Sequence, residues 1–310
     1  MTVIPLFKLP VLCISEILIN TDIISLVSLS LISRRSKQLV RTTKTSLAGF
    51  NIEIKNDETQ VQFVTSEKED AGSWFFKTEE KECTDTQLME MRYALFVCSS
   101  GCPFFSFEDD VIHSYHSAND IQQSVKLGVE YLRDLFRKPI LRVFLYPDDF
   151  SASRRPFYMG FNECNNLFIE GEKEIKNEDL KSILENLTIK TQLALMIPTS
   201  SSFECNMNGF EFKKIICLDK KNSGHLITRE VLMSLKCTLM QFHHTLLTAD
   251  DIMSFFERWY SPDFAFDCTR GIDIMRRDGL LCTVINRAKV FIFVVWHNRF
   301  PDVSGVSIIR

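Results

Sequence analysis

Six short apolar runs begin at Leu141, Leu167, Leu193, Ile215, Leu239 and Phe264, at intervals of 26, 26, 22, 24 and 25 residues. Each is the length of a buried strand. Three of the intervals also carry helical spacing: Leu180, Ile183, Leu184 and Leu187; Val231, Leu232 and Leu235; Ile252, Phe255, Phe256 and Trp259. A strand-plus-helix unit of this size cannot bury its apolar side alone, so successive units must stack on one shared core. The spacing therefore predicts an α/β domain over 119–310. It opens with an amphipathic helix that places Ile121, Val125, Val129, Leu132 and Phe136 on one face and stops before Pro139. Thr248, with Asp251 three residues on, predicts a capped start for the last helix. Ile272 to Met275, an Asp278-Gly279 turn, Leu280 to Ile285 and Val290 to Trp296 then predict an antiparallel meander that caps the open end of the core.

The unit length resembles that of leucine-rich repeats, which stack a strand and a helix per turn. The regular Leu-x-x-Leu-x-Leu-x-x-Asn ladder is missing, and the intervals after Leu145 and Ile197 hold no clear helix. An irregular α/β domain with evenly spaced strands satisfies the same pattern.

Ahead of residue 119 the periodicity changes twice. Residues 48–118 alternate with a period of two: Phe50, Ile52 and Ile54; after a turn at Asn56 and Asp57, Val61, Phe63 and Thr65; then Trp74 and Phe76. This predicts a β-meander as a connecting segment, with a solvated loop from Glu79 to Asp85. Residues 1–47 read as three short helices, carried by Ile14, Ile17 and Leu18, by Leu26, Leu29 and Ile32, and by Leu39 and Val40, with Asp22 as an N-cap. So small a bundle has too little interior for so many aliphatic side chains, and a partner is expected to cover the excess. Glu16 and Asp22 interrupt the apolar run from 10 to 33, so it reads as helices rather than a signal peptide or membrane anchor. The expected fold class is α+β: three helices, a β-meander, and a leucine-rich-repeat-like α/β domain with an antiparallel cap.

With 36 basic and 40 acidic residues the net charge is -4, which gives no global attraction to nucleic acid or anionic membranes. Ten scattered cysteines, most beside apolar runs, read as buried thiols of a reducing compartment. Phosphate-binding glycine loops, Gly-x-Ser-x-Gly and His-Glu-x-x-His are all absent, and no residue stands out as a nucleophile. No catalytic role and no cofactor are expected. Arg34, Arg35, Lys37, Arg41 and Lys44 cluster late in the helical region and read as the solvated side of a helix.

The segment from Phe7 to Val40 carries Leu9-Pro10, Ile14, Glu16-Ile17-Leu18, Asp22, and Ser28 to Leu31 running into Ile32-Ser33-Arg34. It resembles an F-box, most closely that of the F-box B proteins of nematodes. Leu247 to Trp259 and Asp278-Gly279 to Trp296 look like the signatures of the type 2 F-box-associated domain found in those proteins. Two positions depart from the pattern: Leu12 stands where an acidic residue is common, and Ser36 where an aromatic one is usual. The resemblance implies an F-box over 1–47, docked on the adaptor of an SCF ubiquitin ligase and through it on a cullin. It also implies an F-box-associated domain that holds a protein client, and a cytoplasmic or nuclear location. By the resemblance, Leu9, Pro10, Ile14, Ile17, Leu18, Ile24 and Leu26 contact the adaptor. A repeat-type binding scaffold outside any ligase is the alternative.

Client contacts are expected on polar and aromatic residues at strand and helix ends: Tyr146, Asp148, Arg258 and Tyr260. Tyr260 lies off the Ile252, Phe255, Phe256, Trp259 stripe and so suits a surface role. The spacing of Cys98, Cys102, His113 and His116 falls just short of a zinc-finger pattern, and Cys98 ends an apolar run, so core thiols with surface histidines are expected there instead of a metal site. Metal analysis of purified protein should find well under one zinc per chain, and a stoichiometric, chelator-resistant zinc would reverse this reading.

Overall fold

The computed structural model describes residues 6–55, 58–78, 104–108, 110–116, 121–149, 161–205, 213–218, 220, 222–259, 272–275, 281–287 and 290–296. The turns expected at Asn56-Asp57 and Asp278-Gly279, the loop from Glu79 to Asp85, Cys98, Cys102, Tyr260 and the run at Phe264 lie outside them. The chain divides into two compact units, Met1–Asn165 and Asn166–Arg310.

The first unit opens with a 3-10 turn (Leu6–Lys8) and three helices, α1 (Val11–Ile19), α2 (Ile23–Ile32) and α3 (Arg34–Thr42). Asp22 caps α2 by accepting from the Ser25 N–H at 2.7 Å, and Ser33 caps α3 by accepting from Ser36 at 3.1 Å. Ile14, Leu18, Ile23, Ile24, Leu26, Val27, Leu31 and Val40 form the bundle interior.

A sheet follows, built from β1 (Leu47–Ile54), β2 (Glu58–Thr65), β3 (Ser73–Thr78), β4 (Phe104–Glu108), β5 (Val111–His116) and β6 (Ile140–Leu145), in the order β6-β1-β2-β3-β5-β4. The first three strands are the antiparallel meander read from the sequence. β5 joins β3 in parallel, and β6 joins β1 in parallel. Register aligns Ile52, Val61, Trp74 and Ile112 across one buried face. Helix α4 (Ile121–Phe136) buries Ile121, Val125, Val129 and Leu132 as their spacing predicts, but at its end it is Leu135 that is buried, while Phe136 is half-buried. At Gly128 it comes so close to Phe76 that a Cβ would lie 2.7 Å from the ring's Cε1.

The helical bundle packs directly on this assembly. Tyr131 of α4 donates to Ser30 of α2 at 2.8 Å, and burial pushes its phenol pKa up to about 12. Asp134 of α4 pairs with Lys37 at 2.9 Å and Arg41 at 3.0 Å, both on α3. Two members of the basic cluster are thus committed to an interhelical clamp, and Arg35 lies 4.8 Å over the Phe7 ring.

The second unit contains most of β7 (Glu163–Glu170), then α5 (Asn177–Asn186), β8 (Thr188–Met196), β9 (Lys214–Cys217), α6 (Arg229–Ser234), β10 (Leu239–His243), α7 (Ala249–Trp259), β11 (Ile272–Met275), β12 (Leu281–Arg287) and β13 (Val290–Trp296). The strand order is β11-β12-β13-β10-β9-β8-β7. β8, β9 and β10 run parallel; β13, β12 and β11 continue the sheet antiparallel. Leu193, Leu195, Ile215, Cys217, Met240, Phe242, Phe291 and Phe293 are buried along this sheet, and Phe255 of α7 meets Phe293 edge-on at 5.3 Å. Thr248 and Asp251 form the reciprocal cap expected at the start of α7. Beside β10 the sheet continues with antiparallel β13, not with a sixth parallel strand.

Gly72, at the end of the β2–β3 turn, has φ +111°, and an added Cβ would overlap the Ile24 side chain and lie 2.8 Å from the Asp110 carbonyl. Gly72→Ala should lower stability in urea unfolding by about 2 kcal/mol or more, through both strain and overpacking. An unchanged midpoint would mean that α2 is not seated on this turn.

Candidate functional site

Helix α1 reads VLCISEILI, apolar on every side, yet it buries only Ile14 and Leu18. Val11, Leu12, Ile17 and Ile19 are left 74%, 80%, 45% and 51% exposed. Ile32 at the end of α2 and Phe7 in the opening turn add to the exposed aliphatic and aromatic surface of the bundle. Covering four such side chains is worth several kcal/mol at about 25 cal/mol per Å². Exposed apolar surface of this kind marks a protein-binding site. Helix α4 braces the bundle through α2 and α3.

Residues 6–45, which contain this bundle and its patch, match the F-box domain family. The N-terminal bundle is an F-box domain. Across 96% of this chain and 80% of the relative, the sequence is 21% identical to a Caenorhabditis elegans protein named Uncharacterized protein F59B2.9. That relative is consistent with the nematode F-box resemblance. No solved structure matches.

The F-box residues expected at an adaptor divide into two groups. Pro10 and Ile17 are exposed and Leu9 is half-buried, whereas Ile14, Leu18, Ile24 and Leu26 are 1–5% exposed and form the core. The buried four set the positions of α1 and α2; the surface itself comes from Val11, Leu12 and Ile19 as well as Ile17. The signal for these was present in the sequence, because a helix without a polar face must leave one apolar side outward. Leu12, which replaces an acidic residue of the family pattern, is the most exposed large apolar side chain among the described residues.

The expected client residues fall in different units. Tyr146 follows β6 in the first unit, with the Lys55 ammonium 5.5 Å from its ring, and Asp148 lies in the 3-10 turn Pro147–Asp149. Arg258 in the second unit donates to the Met233 carbonyl, tying α7 to α6. Of the zinc candidates, His116 is not at the surface as expected but buried on Ser114 at 3.0 Å, where the sheet packs its ring on Phe76, and His113 stacks on Phe75 at 5.3 Å. Among the described residues no group of three or more His, Cys, Asp or Glu is arranged to hold a metal ion, and no helix is long and apolar enough to cross a membrane.

The loops after β8, β9 and β10 are joined by buried hydroxyls. Thr199 donates to the Asn222 carbonyl at 2.5 Å, and Ser223 donates to the His243 carbonyl at 3.5 Å. Both hydroxyl residues are at most 1% exposed. His225 sits beside this seam with its pKa lowered, first by burial and then by the charge of His244.

A histidine whose folded pKa is depressed stabilises the fold above its unfolded pKa of about 6.5 and loses that contribution as pH falls toward the lower folded value. Unfolding midpoints should therefore drop between about pH 7 and pH 5, and His225→Gln should flatten that slope. Thr199→Val should cost about 1 kcal/mol at any pH, because it removes a part-buried hydrogen bond to the Asn222 carbonyl. A slope unaltered by His225→Gln would assign the acid sensitivity elsewhere.

Proposed function

We propose that this chain is the substrate-recognition subunit of an SCF-type ubiquitin ligase, bridging the ligase adaptor, and through it a cullin, to a protein client. The observation that carries this reading is the exposed aliphatic surface of α1 on an F-box domain. In this reading the chain performs no chemistry. It holds the client near a charged ubiquitin-conjugating enzyme and so raises the local concentration of the reacting lysine.

The client-holding part is read as residues 119–310, a leucine-rich-repeat-like, type 2 F-box-associated domain with β11, β12 and β13 as its antiparallel cap and 48–118 as the connecting segment. Parallel β8, β9 and β10 support this reading, as do the buried hydroxyls Thr199 and Ser223, which lie one repeat apart and join successive loops. Tyr146, Asp148, Arg258 and Tyr260 are proposed client contacts; Arg258 also binds α6, so its truncation loosens packing as well. Buried thiols at Cys164, Cys205, Cys217, Cys237 and Cys282 suit the reducing cytoplasm or nucleus.

The test is co-purification of the full chain with the SCF adaptor, comparing wild type with a Leu12→Asp/Ile17→Lys variant. Both side chains are exposed, so the unfolding midpoint should stay within about 0.5 kcal/mol while adaptor affinity falls at least about tenfold. Wild-type protein that fails to bind the adaptor would favour the ligase-independent scaffold.

A further inference from the structure

We propose that the adaptor clasps α1 on two sides, in a groove whose walls are apolar and whose floor carries a cation that meets Glu16. This deepens the ligase role proposed above and rests on it. With 3.6 residues per turn, each step along α1 turns about 100° around its axis. Ile14 and Leu18, about 40° apart, are buried and mark the side that faces the bundle. Leu12 and Ile19 lie about 20° apart on one flank of the helix, and Ile17 lies on the other flank, roughly 150° away. All three are exposed. Glu16 falls between the flanks, directly opposite Ile14 and Leu18, and is exposed as well. It is the only charged residue of α1, and among the described residues no ion pair reaches it.

Area and charge decide what covers this helix. One flank alone offers a few aliphatic side chains, far short of the roughly 1,000 Å² that a specific interface buries, and a partner seated there leaves the opposite flank in water. Two copies of the chain paired through Leu12 and Ile19 meet the same shortfall. A partner that reaches both flanks joins them into one surface, continuous with exposed Pro10 at the start of the helix. The F-box bundle to which α1 belongs supports the adaptor as that partner. To touch both flanks the adaptor has to pass over the crest of the helix, and Glu16 is then withdrawn from water. A covered carboxylate is strongly unfavourable unless a donor meets it. A lysine or arginine on the groove floor meets that need, and it fixes the rotation and register of the helix, which aliphatic walls alone leave loose.

The experiment measures adaptor affinity of the full chain by calorimetry at low and high salt, for wild type and for single variants at exposed positions. Leu12→Asp and Ile17→Asp, on opposite flanks, should each weaken binding about tenfold or more. Glu16→Lys should also weaken it about tenfold or more, and Glu16→Gln by less. Added salt should weaken wild-type binding and leave Glu16→Gln nearly unchanged. Unfolding midpoints should stay with wild type throughout, so that a loss of affinity reports on the surface and not on the fold. Affinity of Leu12→Asp or Glu16→Lys within twofold of wild type, or a Glu16→Gln variant as salt-sensitive as wild type, would overturn the clasp and leave the ligase reading standing. Self-association of wild type that Leu12→Asp abolishes, with adaptor affinity unchanged, would overturn it in favour of a second copy of the chain on that flank. Wild-type protein that does not bind the adaptor overturns both readings.

Discussion

The close approach of α4 to the sheet at Gly128 is the contact on which the first unit depends. With no side chain there, the helix lies on Phe76, which stacks on Trp74 at 4.9 Å within the meander. The same helix then has Tyr131 and Asp134 within reach of α2 and α3. The two ion pairs are part-exposed and worth about 0.2–1 kcal/mol each, so they orient more than they stabilise. The apolar layers beneath supply the energy. Because the bundle is braced on that side, it does not need to close over its own first helix, and α1 keeps its aliphatic surface outward.

In the second unit, order passes from loop to loop. Two hydroxyls link successive strand ends: Thr199, after β8, donates to the Asn222 carbonyl in the loop after β9, and Ser223 of that loop donates to the carbonyl of His243 at the end of β10. The donor hydroxyls are buried and the bonds part-buried, so losing either bond costs on the order of 1 kcal/mol. Asn222 and His244 hold positive φ within the same seam, which shows how tightly the turns are drawn. Burial of Cys217 and Cys237 pushes their thiols up, Cys237 to about 12, so they pack as small apolar groups instead of reacting.

Together these features describe a chain with two kinds of surface. One is aliphatic and centred on α1 of the F-box bundle, with Phe7 and Ile32 adding to it; the other is the polar surface at strand and helix ends proposed to meet a client. Apolar surface supplies affinity for a constant partner, whereas exposed charge on a stacked scaffold can vary without disturbing the core behind it. That separation suits the bridging role proposed above.

Periodicity made much of this legible in advance. The three helices, the meander, α4 and its buried face, the capped start of α7 and the spacing of β7 to β10 all follow from apolar residues recurring at periods of 2, 3.6 and about 25, because local burial pattern dictates local structure. The excess of aliphatic residues in α1 likewise announced the exposed apolar surface that the helix carries. Which of those residues face outward was not legible: Ile14 and Ile17 are both apolar positions of one short helix, and only tertiary packing buries the first and leaves the second exposed. Nor could local pattern show that β6 would pair with β1, that β13 would take the place beside β10, or that Lys37 and Arg41 would meet Asp134. Strand pairing and charge pairing join positions about 90 residues and more or some 50 apart, and a sequence period carries no information at that range. The backbone had to be assembled before those partners could find one another.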